Sequence, residues 1–108
     1  MAYKIDVQNE KLFVLLDGEI DHHTAKDIRK NADLKILELT PEKIYLDFKN
    51  VSFMDSSGIG LIMGRVRTAQ SYGGKVFVTN TSAYLKRVMR LAGLDGIVSF
   101  CDTEEEKI

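Results

Sequence analysis

The chain has 108 residues, of which 44% are hydrophobic, and its 15 basic and 16 acidic side chains leave a formal net charge of −1. This length suits one globular domain with a buried core, and the mixed charges give no electrostatic reason to bind nucleic acid. No apolar run approaches the ~20 residues that a membrane-spanning helix needs, so no membrane association is expected.

Cysteine usage and the first residues of the chain favour a cytoplasmic protein. The single cysteine, Cys101, excludes an internal disulfide framework and suits a reducing compartment. The first residues lack the charged and then apolar layout of a secretion signal. Because no linker, repeat or low-complexity run interrupts the sequence, we expect residues 1–108 to form one domain.

An antiparallel hairpin is predicted at the start, from strands over residues 3–7 and 11–16 and the polar turn between them. The second strand carries apolar residues on both of its alternating faces, so we expect it to be buried on both. Asp17-Gly18-Glu19 is predicted to end this strand.

The first helix has two candidate starts. Asp21 can serve as its N-cap, and Thr24 with Asp27 has the spacing of a capping box, although Glu or Gln is usual at the last position. The side expected to be buried comprises Ala25, Ile28, Ala32 and either Ile36 or Leu37.

Residues 44–69 predict a strand, a loop and a second helix. Residues 44–48 alternate as in a strand with one face in a core. Asp55-Ser56-Ser57-Gly58 then matches the start of a helix. The apolar stripe of this helix comprises Ile59, Ile62, Met63, Val66 and Ala69.

The rest of the chain predicts a strand, a third helix and a last strand. Gly73-Gly74 ends the second helix, and residues 75–79 form a short strand. The third helix is capped within residues 80–82 and ends at Gly93. Its expected inner face comprises Leu85, Val88, Met89 and Ala92. Residues 97–100 form the last strand, and residues 103–106 either begin another helical turn or form an acidic tail.

The predicted order is β-β-α-β-α-β-α-β, an α/β fold in which an N-terminal antiparallel hairpin is followed by parallel strands in one small mixed sheet packed with helices. Functional sites in such folds favour loops at the carboxyl ends of parallel strands. The loops over residues 18–24 and 50–58 both qualify. We therefore expect Asp21 and the serine pair to lie on the same edge of the sheet.

On spacing alone, the serine pair needs no role beyond starting a helix, because such a cap contributes roughly 0.5–2 kcal/mol. A hydrolase is not indicated, since Asp55 stands where a Gly-x-Ser-x-Gly motif around Ser57 would have its first glycine. Metal binding is not indicated either: no cysteine or third histidine completes a set with His22 and His23. Asp47 and Asp55 are explained by a strand position and a helix cap.

Three glycines in the second helix suggest a close approach to its backbone. Gly58, Gly60 and Gly64 each cost ~1 kcal/mol relative to alanine in a helix, so we expect the sheet or a partner to pack there. Leu61 lies off the apolar stripe, so we expect it to be at least partly exposed beside Gly64 and Arg65 and to contact a partner.

Three segments together resemble the STAS-domain anti-sigma factor antagonists. They are Gly18-Glu19-Ile20-Asp21-His22-His23-Thr24-Ala25, Phe53-Met54-Asp55-Ser56-Ser57-Gly58-Ile59-Gly60 and Arg65. The resemblance covers nearly the whole chain, including the Gly73-Gly74 turn, and implies one STAS-type domain over residues 1–108.

The resemblance implies a regulator switched by phosphorylation and not an enzyme. Such antagonists bind an anti-sigma factor that is also a serine kinase, and so release a sigma factor. The kinase then phosphorylates the second serine of the motif, here Ser57, and a PP2C-type phosphatase restores it. No cofactor or metal is implied. The partner surface expected here comprises Asp21, His22, Asp55, Ser56, Ser57, Gly58, Gly60, Leu61, Gly64 and Arg65.

Two alternatives remain open at this point. One is a STAS scaffold or accessory subunit of a stress-signalling or transport complex, whose binding does not depend on phosphorylation. The other is a small α/β enzyme or nucleotide binder that uses the loop over residues 50–58, although no general base, metal set or Walker lysine supports it.

Overall fold

The structure, a computed structural model, describes residues 3–101. Its elements are β1 (Tyr3–Gln8), β2 (Lys11–Ile20), α1 (His22–Leu39), β3 (Lys43–Met54), α2 (Ser56–Gln70), β4 (Lys75–Thr79), α3 (Ala83–Leu91) and β5 (Ser99–Cys101), with a 3₁₀ turn over Leu94–Gly96. This order confirms the predicted β-β-α-β-α-β-α-β arrangement. The expectation for residues 103–106 lies outside the described residues.

The strands form one five-stranded sheet in the order β1-β2-β3-β4-β5. β1 pairs antiparallel with β2, and every later pair is parallel. Each helix connects two neighbouring strands and each step moves in the same direction across the sheet, so right-handed crossovers place all three helices on one face. The predicted mixed sheet is confirmed.

The main core fills the space between the sheet and the helices. Each side chain fully buried here contributes about 1.5–3 kcal/mol. The buried residues include Leu12, Val14, Leu16, Ile44, Leu46, Val76 and Val78 from the strands, and Ile28, Ile36, Ile62, Val66, Leu85 and Met89 from the helices.

The opposite face of the sheet carries a row of stacked aromatic rings. The ring centroids of Phe13 and Tyr45 lie 4.8 Å apart, and those of Tyr45 and Phe77 lie 4.9 Å apart. Phe13 and Tyr45 are buried, which confirms that β2 is buried on both faces. The one-sided strand predicted for residues 44–48 is wrong, because Tyr45 and Asp47 on this face are buried too.

β2 is longer than predicted, because Asp17-Gly18-Glu19 forms an irregularity within the strand and does not end it. The pairing with β3 shifts register on either side of Gly18, whose φ is +81°. At both shifts the extra residue lies in β3, which advances one residue more than β2 between the paired positions, and such a bulge re-aims the chain beyond it. Pairing then resumes and reaches Ile20 opposite Met54.

Asp21 is the N-cap of α1. Its Oδ1 accepts the Thr24 backbone N–H at 3.0 Å, and Thr24 Oγ1 accepts the Asp21 N–H at 2.9 Å. This reciprocal pair excludes the alternative that Thr24 caps the helix with Asp27, which instead accepts the Tyr3 hydroxyl at 2.9 Å. On the buried side, the structure selects Ile36 over Leu37.

Two predictions at the end of the third helix are wrong. Ala92 is exposed, because α3 ends at Leu91 and Ala92 is its C-cap. The last strand begins at Ser99 and not at residue 97, since the backbone N–H groups of Ile97 and Val98 donate to the Leu94 carbonyl in the 3₁₀ turn. Gly93 has the predicted left-handed conformation, with φ +87°.

Candidate functional site

The starts of α1 and α2 lie side by side at one edge of the sheet. Ile20 pairs with Met54 at the carboxyl ends of β2 and β3. The Asp55 backbone N–H then donates to the Ile20 carbonyl at 3.2 Å. The structure therefore brings Asp21 and the serine pair to the same edge, as the predicted parallel order requires.

Ser57 lies in the first turn of α2. The N-cap of this helix is Asp55, whose Oδ1 accepts the Ser57 backbone N–H at 2.8 Å. Ser56 is exposed and Ser57 is partly buried. Within residues 3–101 the Ser57 hydroxyl forms no hydrogen bond, so it is free to react or to bind.

The three glycines of α2 lie in different surroundings. A Cβ at Gly58 would lie 2.7 Å from Met54 Sδ and 3.0 Å from Met54 Cβ, so β3 approaches the helix closely there. A Cβ at Gly60 or Gly64 would meet nothing within 4 Å. Packing by the sheet therefore explains Gly58 but does not explain Gly60 and Gly64, where contact with a partner stays a prediction.

Leu61 and Arg65 are buried, each with 3% of its surface exposed, so the prediction of an exposed Leu61 is wrong. The physical reason is that α2 packs against α1 as well as against the sheet, which buries a second stripe one residue away from the predicted one. Leu61 joins the core on this side.

Arg65 links the two helices. Its Nη2–H donates to Asp33 Oδ2 at 3.2 Å, and its Nη1–H donates to the Leu61 carbonyl at 3.3 Å. Arg65 Nε lies 2.9 Å from Asp33 Oδ1 but makes no hydrogen bond with it, so that contact is an ion pair only. A buried Arg65 positions α2 on α1 and offers little surface to a partner.

A cleft of about 540 Å³ opens between α1 and α2, with Ser57 in its lining. Its lining comprises His22, Ala25, Lys26 and Arg29 from α1, and Ser57, Gly60, Leu61 and Arg67 from α2. The absence of a side chain at Gly60 leaves its floor open. Sequence reasoning missed the charge of this cleft, because the three basic residues come from two separate helices.

The edge above the cleft is acidic. Hydrogen bonds from Thr24, chiefly from its backbone N–H, lower the pKa of Asp21. Asp55 beside it is exposed. Farther along α2, burial lowers the pKa of Arg65, and the nearby Asp33 carboxylate opposes this shift. The surface around Ser57 therefore carries negative charge at its rim and positive charge in its cleft.

Phe53 was also given no role by the sequence analysis. It lies near the end of β3, opposite Glu19, with 44% of its surface exposed. Exposed aromatic rings are enriched at protein interfaces, and this ring lies at the edge of the sheet that carries Asp55. The signal was its position within the family motif, next to the serines.

Two features are absent from the part of the chain that the structure describes. No group of three or more His, Cys, Asp or Glu side chains there could hold a metal ion. None of the helices within that part is both long enough and apolar enough to cross a membrane.

Comparison with known proteins identifies the family. The family model of the STAS domain matches residues 2–107. The chain is 36% identical over 106 residues to an anti-sigma F factor antagonist of Paenibacillus polymyxa, covering 96% of this chain and 91% of that protein. The structure of SpoIIAA in its unphosphorylated form, an anti-sigma factor antagonist, has a TM-score of 0.81 and 31% identity, covering 98% of this chain and 93% of that one. The phosphorylated form of SpoIIAA from Bacillus has a TM-score of 0.80 and 34% identity, with 98% and 96% covered. The chain therefore belongs to the STAS domain family.

Proposed function

We propose that this protein is an anti-sigma factor antagonist that acts in the cytoplasm without enzymatic activity of its own. In its unphosphorylated form it binds an anti-sigma factor and thereby releases a sigma factor. The observation that carries the proposal is the free Ser57 hydroxyl in the first turn of α2, beside Asp21 and in the lining of an open cleft. The similarity to an anti-sigma F factor antagonist along 96% of the chain supports it.

Phosphorylation of Ser57 is proposed to switch this binding off. The partner is then itself a serine kinase, and a PP2C-type phosphatase reverses the modification. The existence of a phosphorylated form of SpoIIAA supports a phosphorylated state in this family. Ser57 is favoured over Ser56 because it is the second serine of the family motif and because it lines the cleft.

A phosphate on Ser57 is compatible with the fold. Free backbone N–H groups and the helix dipole favour an anion at the start of a helix, and Ser57 is in the first turn of α2. The modification therefore affects what the surface binds more than whether the domain folds.

The same phosphate is incompatible with a docked partner. It adds about −1.5 to −2 charges next to Asp55, whose carboxylate already caps the helix. If the partner offers no matching cation, desolvation and repulsion of ~3 kcal/mol weaken binding by on the order of a hundredfold.

The rest of the proposed partner surface consists of the groups around Ser57. Asp21 and His22 lie at the start of α1, and Gly60 and Gly64 leave the α2 backbone open to a partner. Leu61 and Arg65 act by holding α2 against α1, and Phe53 is an added contact.

The test is phosphorylation by the cognate anti-sigma factor. The partner is first captured with the tagged protein from its own cells, then purified and incubated with the protein and ATP. Peptide mass spectrometry is expected to find one phosphate, on Ser57, and none in Ser57→Ala. Ser56→Ala serves as the matched control and is expected to be phosphorylated normally.

Two results would contradict this proposal. Phosphate on Ser56, or on a serine outside α2, would refute the site. Stable binding of the partner without any phosphorylation, and without an effect of phosphatase treatment, would instead indicate a STAS scaffold.

A further inference from the structure

The cleft between α1 and α2 holds positive charge that no ion pair within residues 3–101 neutralises. Lys26 and Arg29 line it from α1, and Arg67 lines it from α2. Within residues 3–101 none of these three side chains forms an ion pair. All three side chains are exposed. Their mutual electrostatic repulsion would be relieved by an anionic ligand bound in the cleft.

Asp33, a carboxylate near Arg29 and Arg67, is already engaged. Asp33 is bound to Arg65, and both Arg29 and Arg67 lie close enough to Arg65 to lower its pKa, in addition to the effect of burial. Arg29 and Arg67 therefore lie near the Asp33–Arg65 pair but have no carboxylate partner of their own within residues 3–101. The acidic groups at the sheet edge, Asp21 among them, lie at the opposite end of the cleft.

The shape of the cleft fits a chain segment better than a single small anion. From Ser57 to Arg67 the cleft follows ten residues of α2, a distance of about 15 Å at the rise of an α-helix. Gly60 lies between them and leaves the floor open, since a Cβ there would meet nothing within 4 Å. A segment with several carboxylates can reach Lys26, Arg29 and Arg67 along such a cleft, which a single small anion cannot.

We propose that this cleft binds an acidic segment of the anti-sigma factor, an inference that rests on the proposed function. Charge complementarity selects an acidic partner, and continuity selects the same partner that docks at Ser57, because Ser57 lines the upper end of the cleft. The partner segment then carries Asp or Glu side chains opposite Lys26, Arg29 and Arg67.

This assignment gives the phosphorylation switch a second element. A phosphate on Ser57 enters the cleft that the acidic segment occupies. It repels the carboxylates of that segment and competes with them for the same cations. The phosphate thus weakens binding in two ways: it repels the partner's carboxylates, and it reduces their attraction to the cations of the cleft.

Charge reversal in the cleft tests the proposal. Binding of the purified cognate anti-sigma factor is measured by titration calorimetry at low and at high salt. Arg29→Glu is expected to lower the affinity about tenfold at low salt, because one attractive charge becomes repulsive. Lys26→Glu is expected to act in the same direction, and Arg29→Lys is expected to bind nearly as well as the unmodified protein.

The matched control is Arg87→Glu, because Arg87 is also an exposed arginine but lies on α3 and does not line the cleft. It is expected to leave the affinity within about twofold. The affinity of the unmodified protein is expected to fall as salt rises, and that of Arg29→Glu is expected to fall less steeply, because fewer charge pairs form.

Several outcomes would overturn the inference. Equal affinities for Arg29→Glu, Lys26→Glu and Arg87→Glu would show that no acidic segment enters the cleft. If the unmodified protein binds ATP and Arg29→Glu does not, the occupant of the cleft is a nucleotide and not a protein segment. If the unmodified protein does not bind the anti-sigma factor at all, the proposed function fails and this inference fails with it.

Discussion

Gly58 lies where α2 leaves the edge of the sheet, and β3 leaves no room for a larger residue there. A Cβ at this position would lie 2.7 Å from Met54 Sδ and 3.0 Å from Met54 Cβ. Since the Cβ of Met54 is fixed to the backbone of β3, rotation of its side chain alone cannot relieve the contact. The glycine therefore sets the distance at which the Ser57 turn lies on the sheet.

Gly58→Ala is accordingly expected to destabilise the fold by about 1–3 kcal/mol, the usual cost of overpacking. Gly64→Ala is the matched control, because a Cβ there meets nothing within 4 Å. Its higher helix propensity is expected to stabilise the fold by ~1 kcal/mol. Urea unfolding of both variants measures the difference, and an equal effect of the two would contradict the close approach.

The three glycines of α2 also show which residue-scale features a sequence can predict. Their number in one helix indicates a special backbone environment, but not which of them meets the sheet. Gly58 lies over Met54, whereas Gly60 and Gly64 face open space. That distinction depends on the rotation of α2 about its axis, which the neighbouring elements determine.

At the scale of elements, the contact between α1 and α2 decides which residues are buried. A helix that packs on a sheet alone needs one apolar stripe, and the stripe at Ile62 and Val66 was predicted correctly. A helix that also packs on a neighbour buries a flanking stripe, here Leu61 and Arg65. Nothing in the α2 sequence states which flank faces α1, because this follows from the order of the strands.

The Asp33–Arg65 pair is expected to respond unequally to removal of its two members. The Arg65 side chain is 4% exposed, whereas that of Asp33 is 32% exposed. Asp33→Ala leaves a buried cation near Arg29 and Arg67, and is expected to cost about 2–4 kcal/mol. Arg65→Met keeps the apolar volume and leaves Asp33 in contact with water, so it is expected to cost less than about 1.5 kcal/mol.

Urea unfolding of the two single variants and of the double variant tests this asymmetry. The double variant is expected to be more stable than Asp33→Ala alone, because it no longer contains an unpaired buried cation. If Arg65→Met were the more costly change, the pair would act mainly through the packing of the arginine stem.

At the scale of the whole molecule, the parallel order of strands determines where the site lies. Alternating strands and helices predict that order, and it places Asp21 beside Asp55 whatever the details of packing. The row of Phe13, Tyr45 and Phe77 is different. It depends on the register of three strands that are far apart in the sequence, so local patterns could not predict it.

The basic cleft could not be predicted from the sequence for the same reason, since Arg29 and Arg67 become neighbours only when α1 and α2 pack together.

The whole domain also separates stability from binding, and Ser57→Asp is the variant that tests this separation. An aspartate in the first turn of α2 gains from the helix dipole and loses by repulsion from Asp55, whose carboxylate caps the same turn. We therefore expect the free energy of unfolding to change by less than about 1 kcal/mol. Affinity for the anti-sigma factor is expected to fall on the order of a hundredfold, because the new charge enters the cleft.

Ser56→Asp is the matched control, since it adds the same charge one residue earlier, on an exposed side chain that does not line the cleft. We expect its affinity to fall by less than about tenfold, as for an exposed charge at the rim of an interface. Ser57→Ala is expected to bind normally and to remain bound in the presence of ATP, because it cannot be phosphorylated. Titration calorimetry and urea unfolding on the same preparations give both quantities. Equal losses of affinity in Ser56→Asp and Ser57→Asp would mean that total charge at the sheet edge, and not the cleft that Ser57 lines, controls the partner.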